Sequence, residues 1–242
     1  MNRNIAFLEL KYGNIYGGYP NFYAIKEVCL LYFEADTNRV FIETFNNTTD
    51  LDMVSVYSKV DELGNTKERV REVVNMRTNR SRPYNEEYQL GEMDLDREFA
   101  KLRNTKRFLK NFFMKVLRKY QFQDMVTFDG RRDVFLCEKA GVDFRRYYIH
   151  DLQKDITKDT NYLFSLNKLA KVIGFNFDGG YLRSNNLQYR LHPIASDQIL
   201  PKSAAYDAAR LLMIHQEFRT KNDDFMMKAA LLLNKIEIAK KV

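Results

Sequence analysis

Three β-rich apolar runs fall within the first 45 residues, and they leave the chain few ways to begin folding. Ile25–Phe33 and Arg39–Phe45 flank the short polar turn Ala35-Asp36-Thr37-Asn38, the pattern of an antiparallel hairpin. Ile5-Ala6-Phe7-Leu8 precedes them, separated by a Gly-, Tyr- and Asn-rich stretch, Tyr12–Asn21, that reads as an irregular loop. The expectation is a three-stranded meander. Its first strand ends in Glu9-Leu10-Lys11, and side chains two apart on a strand share a face. A carboxylate and an ammonium therefore stand together where a buried strand emerges. An ion pair and the remnant of a metal site both fit that pattern.

Beyond the meander the chain changes character. From about residue 46 to 105 it is polar and highly charged, reading as an insertion or arm with one helix at Asn65–Met76 and a break at Ser81-Arg82-Pro83. Thr105 then reads as the cap of a helix that sets Phe108, Leu109, Phe112, Phe113, Val116 and Leu117 against a strongly basic face, Lys106–Lys119. Asp124–Phe128 is expected as a strand, Arg131–Gly141 as a short helix and Arg146–Leu152 as another strand. Tyr162–Gly174 is expected as a helix with a glycine stop, Phe175–Pro201 as a loop, and Ser203–Phe218 as a strong helix. A last amphipathic helix, Asp223–Val242, carries the apolar stripe Phe225, Met226, Ala229, Ala230, Leu233 and Ile236. A meander followed by alternating helices and strands gives the α/β class: a mixed sheet with helices on its faces.

Composition narrows function less than fold. A formal charge of +7 favours an anionic partner but is equally the charge of an ordinary basic surface. Cys29 and Cys137 lie far apart in apolar surroundings without metal-ligand spacing, as reduced core thiols do. With no run of eighteen apolar residues and no basic-then-apolar leader, the expectation is a cytoplasmic protein without a membrane partner.

Three local patterns, in this order, resemble the DnaQ-like family of 3′–5′ exonucleases. Leu8-Glu9-Leu10-Lys11 stands where that family has a strand ending in Asp-x-Glu. Val126-Thr127-Phe128-Asp129-Gly130-Arg131-Arg132-Asp133 stands where it has a strand, a turn and a helix-borne Asp. Lys202-Ser203-Ala204-Ala205-Tyr206-Asp207 stands where it has an Asp on the last conserved helix, preceded by a catalytic His or Tyr. Between them, Tyr148–Leu152 and Leu163–Gly174 look like the family's intervening strand and helix. The resemblance implies a ribonuclease H-like fold: a five-stranded mixed sheet, made of the antiparallel meander plus parallel strands, flanked by helices. It makes residues 1–220 an exonuclease-like domain carrying the 46–105 insertion, and leaves 221–242 as the C-terminal helix.

In that family, four carboxylates hold two divalent ions that activate water and stabilise the leaving oxygen of a phosphodiester. By resemblance Glu9, Asp133 and Asp207 are the catalytic and metal-binding positions, with Mg2+ or Mn2+ as the cofactor if activity survives, or no ion at all. Lys11 replaces the second carboxylate, and neither Lys202 nor Ser203 supplies the His or Tyr. Lys11 removes a negative charge and adds a positive one where two cations would need an anionic excess. The implied protein is a degenerate member with impaired or lost hydrolysis, His192 being a replacement candidate for the base. Lys11, Arg131, Arg132 and Lys202 would contact nucleic acid, a single strand or 3′ end, and aromatics of the Tyr12–Tyr23 loop would stack a base. The competing class is a non-catalytic interaction protein that uses the charged arm and the C-terminal helix as partner surfaces, or dimerises through that helix.

Overall fold

The computed structural model describes residues 4–192 and 196–239. Residues 193–195 of the expected Phe175–Pro201 loop and 240–242 of the expected C-terminal helix thus lie outside the described residues. The meander forms as expected from the hydrophobic pattern. Strands β1 (Ile5–Ile15), β2 (Tyr23–Glu34) and β3 (Arg39–Asn46) pair antiparallel in sequence order. Alternate β1 side chains enter two different cores. Phe7 joins a cluster beneath the last helices, while Ala6, Leu8 and Leu10 face a cluster on the other side of the sheet. Burial on both faces explains why β1 and β2 read as nearly continuous apolar runs.

The charged segment is where sequence and structure part. The helix expected at Asn65–Met76 is a strand: β4 (Asp52–Val60) and β5 (Thr66–Asn75) form an antiparallel hairpin, and β6 (Ser81–Pro83) adds to β5. The next helix does not start at Thr105. It is α1 (Glu92–Lys119), 28 residues long, and Thr105 lies buried within it, bonded to the Lys101 carbonyl and paired with the Thr49 hydroxyl at 2.9 Å. Segment 46–105 therefore extends the sheet and begins a helix.

The order continues with β7 (Asp124–Thr127), α2 (Arg131–Lys139), β8 (Tyr148–Asp151), α3 (Leu152–Thr160) and α4 (Leu166–Val172). The expected Phe175–Pro201 loop contains three short strands, β9 (Asn176–Phe177), β10 (Tyr181–Arg183) and β11 (Gln188–Leu191), before α5 (Ala204–Thr220) and α6 (Asn222–Ala239). Among the described residues, all eleven strands join one mixed sheet, ordered β6-β5-β4-β1-β2-β3-β11-β10-β9, with β7 and β8 off this path. α5 lies across β1 and β2, its Ala204, Ala208, Leu211 and Leu212 in the larger core. Among the described residues, no helix is long and apolar enough to cross a membrane.

The pairing of β1 determines where side chains can gather. β2 takes one edge of β1 along most of its length. The other edge is shared: β7 pairs in parallel with Ile5–Phe7, and β4 pairs antiparallel with Asn14 and Ile15. Between them, among the described residues, Leu8–Tyr12 pair with no strand on that side, and side chains from α2 and α5 approach there.

Candidate functional site

Three separate devices bring the expected acids to this gap. Glu9 and Lys11 sit on the α5 face of β1, on the same side as Phe7. Asp133 is delivered by the turn from β7 into α2. Asp129 there takes a left-handed conformation, φ +51°, which Asp tolerates better than most residues, and its N–H donates to Asp151 Oδ1 at 3.0 Å. Gly130 caps the helix, and a Cβ at that position would lie 2.2 Å from Thr127 Cβ, so the turn admits no larger residue without shifting. Asp133 is then in the first turn of α2, where a carboxylate is favoured by the helix dipole, and it accepts the Leu10 N–H from the unpaired edge of β1.

Asp207 arrives from the opposite side. Ser203 caps α5 by accepting the Tyr206 N–H at 3.1 Å, and Glu27, the register partner of Lys11 on β2, accepts the Ala204 N–H at 3.0 Å. That bond fixes the start of α5 over β1 and β2. Asp207 there meets Lys11 on one oxygen and Arg210 on the other. Arg210 also donates to Asn167 Oδ1 of α4 at 2.6 Å, which extends the network to the next helix.

Electrostatics follow from this burial and pairing. Burial pushes the Glu9 carboxyl well above its ordinary range, and the charges of Asp133 and Asp207 push it further; its Oε1 is buried without a hydrogen-bond partner. Burial likewise raises Asp133 to about 7, against the Leu10 N–H and the Lys11 charge. Burial alone would also raise Asp207, but Lys11 and Arg210 together outweigh it and hold Asp207 below the ordinary range. Three carboxylates thus meet two cations, and Glu9, on the buried strand itself, is held toward its neutral form.

This donor set does not fit a pair of divalent ions. Both oxygens of Asp207 are committed to cations, and Lys11 places its ammonium among the acids where a second ion would need negative charge. Among the described residues, no group of three His, Cys, Asp or Glu side chains is arranged to hold a metal ion.

The remaining expected residues are divided. His192 is excluded from the group. It follows β11, three strands along the sheet from β1, with its N–H on the Val40 carbonyl at 2.9 Å and its ring stacked on Phe41 at 5.2 Å. Lys202 turns away from the acids and lies over the Tyr57 ring of β4 at 4.9 Å. Arg131 and Arg132 instead line a cleft of about 1110 Å³ between α1, α2 and the start of β2. Arg103, Lys106 and Lys139 also line it against a single acid, Asp129, and Tyr12, Phe22, Tyr23, Phe99 and Phe135 provide aromatic walls. Of the basic helix face Lys106–Lys119, only Lys106 borders this cleft. Tyr12 joins cleft to site, since Asp133 and Arg132 both act on its hydroxyl.

Two further residues join the site, Arg210 and Asn167. Arg210 carried a signal, because it lies three residues after Asp207 on one helix face; Asn167 carried none. Comparison with known proteins adds no name. No family model matches the chain, and no curated protein matches it.

Proposed function

We propose that this chain is a nucleic-acid-binding protein on a DnaQ-like, ribonuclease H-like scaffold whose metal-dependent hydrolysis of phosphodiesters has been lost. The fold part of this reading is supported by the subset β3-β2-β1-β7-β8, in which a meander is followed by two strands parallel to β1. The reading is further supported by the charges of Asp133 and Asp207, which both act on Glu9, and by a separate cleft whose cations and aromatic rings suit a single strand, with Tyr12 lining that cleft and feeling the Asp133 charge. The observation that carries the reading is the double grip of Lys11 and Arg210 on Asp207. Protein cations stand where a hydrolase of this type needs protein anions.

The direct test is anisotropy of an end-labelled single-stranded oligonucleotide across a salt series, run beside a cleavage assay with Mn2+. Expected are salt-sensitive binding and no cleavage. Absence of binding at low salt would remove the nucleic-acid part, and Mn2+-dependent cleavage abolished by Asp207→Asn would remove the loss of hydrolysis. One observation favours the interaction-protein reading in part. Although Phe225, Ala229 and Ile236 pack inward, α6 leaves Met227, Leu231 and Ile238 exposed. Sedimentation of the intact chain decides whether that face joins two copies.

A further inference from the structure

The β4–β5 hairpin shares its two end points with the ionic network. At its base, Val54 pairs with Asn14, and the fit is close enough that a Cβ on Gly13 would fall 2.0 Å from the Val54 carbonyl oxygen. At its tip, Gly64 packs on α4, where a Cβ would meet Lys168 Cγ at 3.1 Å and Lys168 backbone atoms at 3.3 Å. Beneath, the network runs from Lys11, two residues before Gly13, through Asp207 and Arg210 to Asn167, the neighbour of Lys168. Halfway along, Tyr57 lies under the Lys202 ammonium, five residues before Asp207. The ribbon and the network thus run between neighbouring end points, with the Tyr57–Lys202 contact between those ends.

The two halves of this ribbon are held differently. Met53, Val73 and Val74 are buried at the base, and β6 pairs with β5 there. Toward the tip, Ser58–Val60 and Thr66–Arg69 are exposed. Among the contacts that tie that outer half to the body are Gly64 on Lys168 and Tyr57 on Lys202, of a kind that opens far more readily than a packed core. The tip itself is pre-shaped, since Asp61 accepts the N–H groups of Leu63 and Asn65, both at 2.8 Å, and Gly64 takes φ +80°. It can lift as a unit.

We propose that the β4–β5 hairpin is a strap that narrows access to the Lys11–Asp207 site, where the Lys11 side chain keeps about a third of its surface exposed, that it is latched by Gly64 against Lys168, and that a polymer strand reaches the site when the strap lifts. The closure concerns access to the site and stands whether or not the ligand is nucleic acid; the last step below alone rests on the proposed function.

A thiol introduced by Lys11→Cys reports access. The two native cysteines are buried, so labelling with a bulky maleimide, divided by the rate with iodoacetamide, measures passage beneath the strap. Adding Gly64→Val, which puts a branched side chain into the Lys168 contact at a left-handed position, is expected to raise that ratio at least tenfold. An unchanged ratio in a folded variant overturns the strap. Should the valine variant not fold, Gly64→Cys with Lys168→Cys supplies the reverse test, because the close approach suits a disulfide. Oxidation should then lower the position-11 labelling ratio, read by peptide mass mapping, at least tenfold in the triple variant, with dithiothreitol restoring it; equal ratios in both redox states overturn the proposal. Oligonucleotide binding by the double-cysteine variant should fall on oxidation. Labelling that responds to the latch while no oligonucleotide binds either form would overturn the nucleic-acid reading and leave the strap standing.

Discussion

Replacing Asp207 by alanine gives the sharpest energetic test of the site. The substitution strands two cations of unequal standing. The Lys11 side chain is 32% exposed and turns to water at little cost, so its loss of partner counts for about 0.5 kcal/mol. The Arg210 side chain is 14% exposed and already has a buried Nε without a hydrogen-bond partner. Stranding a buried charge costs roughly 3–5 kcal/mol, and the retained bond to Asn167 places this case near the lower end. The expected loss is about 3 kcal/mol, or on the order of 6–12 °C in Tm for a chain of this length. Urea denaturation with an unchanged m-value measures it. Lys11→Met should cost about 1 kcal/mol or less, because Asp207 keeps Arg210. The sign carries most of the information. In a site built as an anionic cage for metal, removing one acid relieves repulsion and stabilises the metal-free protein. An Asp207→Ala variant equal to or more stable than the parent, without added metal, would refute the ion-pair account.

Other outcomes follow from the same geometry. Asp133, raised to about 7 by burial, binds its proton more tightly folded than unfolded, so its stabilising contribution is complete below about pH 4 and is lost as pH rises through about 7. Asp133→Asn should flatten the fall in stability between pH 5 and 8, by up to about 2.7 kcal/mol in equilibrium urea melts, at about 1.36 kcal/mol for each pH unit up to the folded value. Asp207 has the opposite sign, its contribution being present above the ordinary carboxylate range and lost as pH falls through its lowered folded value. Gly13→Ala drives a methyl group into the Val54 carbonyl and should cost at least about 2 kcal/mol, with limited proteolysis appearing first within 52–75. In the cleft, Lys106→Ala with Arg131→Ala should weaken single-strand binding and reduce the slope of log K against log salt by about 1.4, at about 0.7 for each phosphate no longer neutralised.

How far the sequence disclosed this molecule depends on which force shaped each element. β1, β2, β3 and β7 were legible because burial on both faces writes itself as apolar runs, and α2 and α5 because Gly130 and Ser203 mark their starts. β5 was not. Val70, Val73 and Val74 sit at helical spacing, and the alternation Arg69-Val70-Arg71-Glu72 is that of a half-exposed strand; the pairing with β4, a tertiary fact, decides between them. The true start of α1 was hidden because its first half has a narrow apolar stripe, Leu95, Phe99 and Leu102, among charges. α3 was missed because it follows β8 without a break. At the site, Glu9, Lys11, Asp133 and Asp207 were legible from their order along the chain. Lys202 takes a left-handed backbone, φ +69°, and lies over Tyr57, which its sequence position did not disclose, and His192 stands apart because β11 carries it to the far side of the meander.

The most direct measurement of the central claim is calorimetric titration of Mn2+ into the parent and into the variant Glu9→Asp with Lys11→Glu. That variant gives the site four carboxylates in place of three and removes one of its two cations. The expected result is no site-specific heat from the parent and measurable binding to the variant, abolished by a further Asp207→Asn. Stoichiometric Mn2+ binding to the parent that disappears with Asp207→Asn would contradict the claim that Lys11 and Arg210 have taken the place of metal.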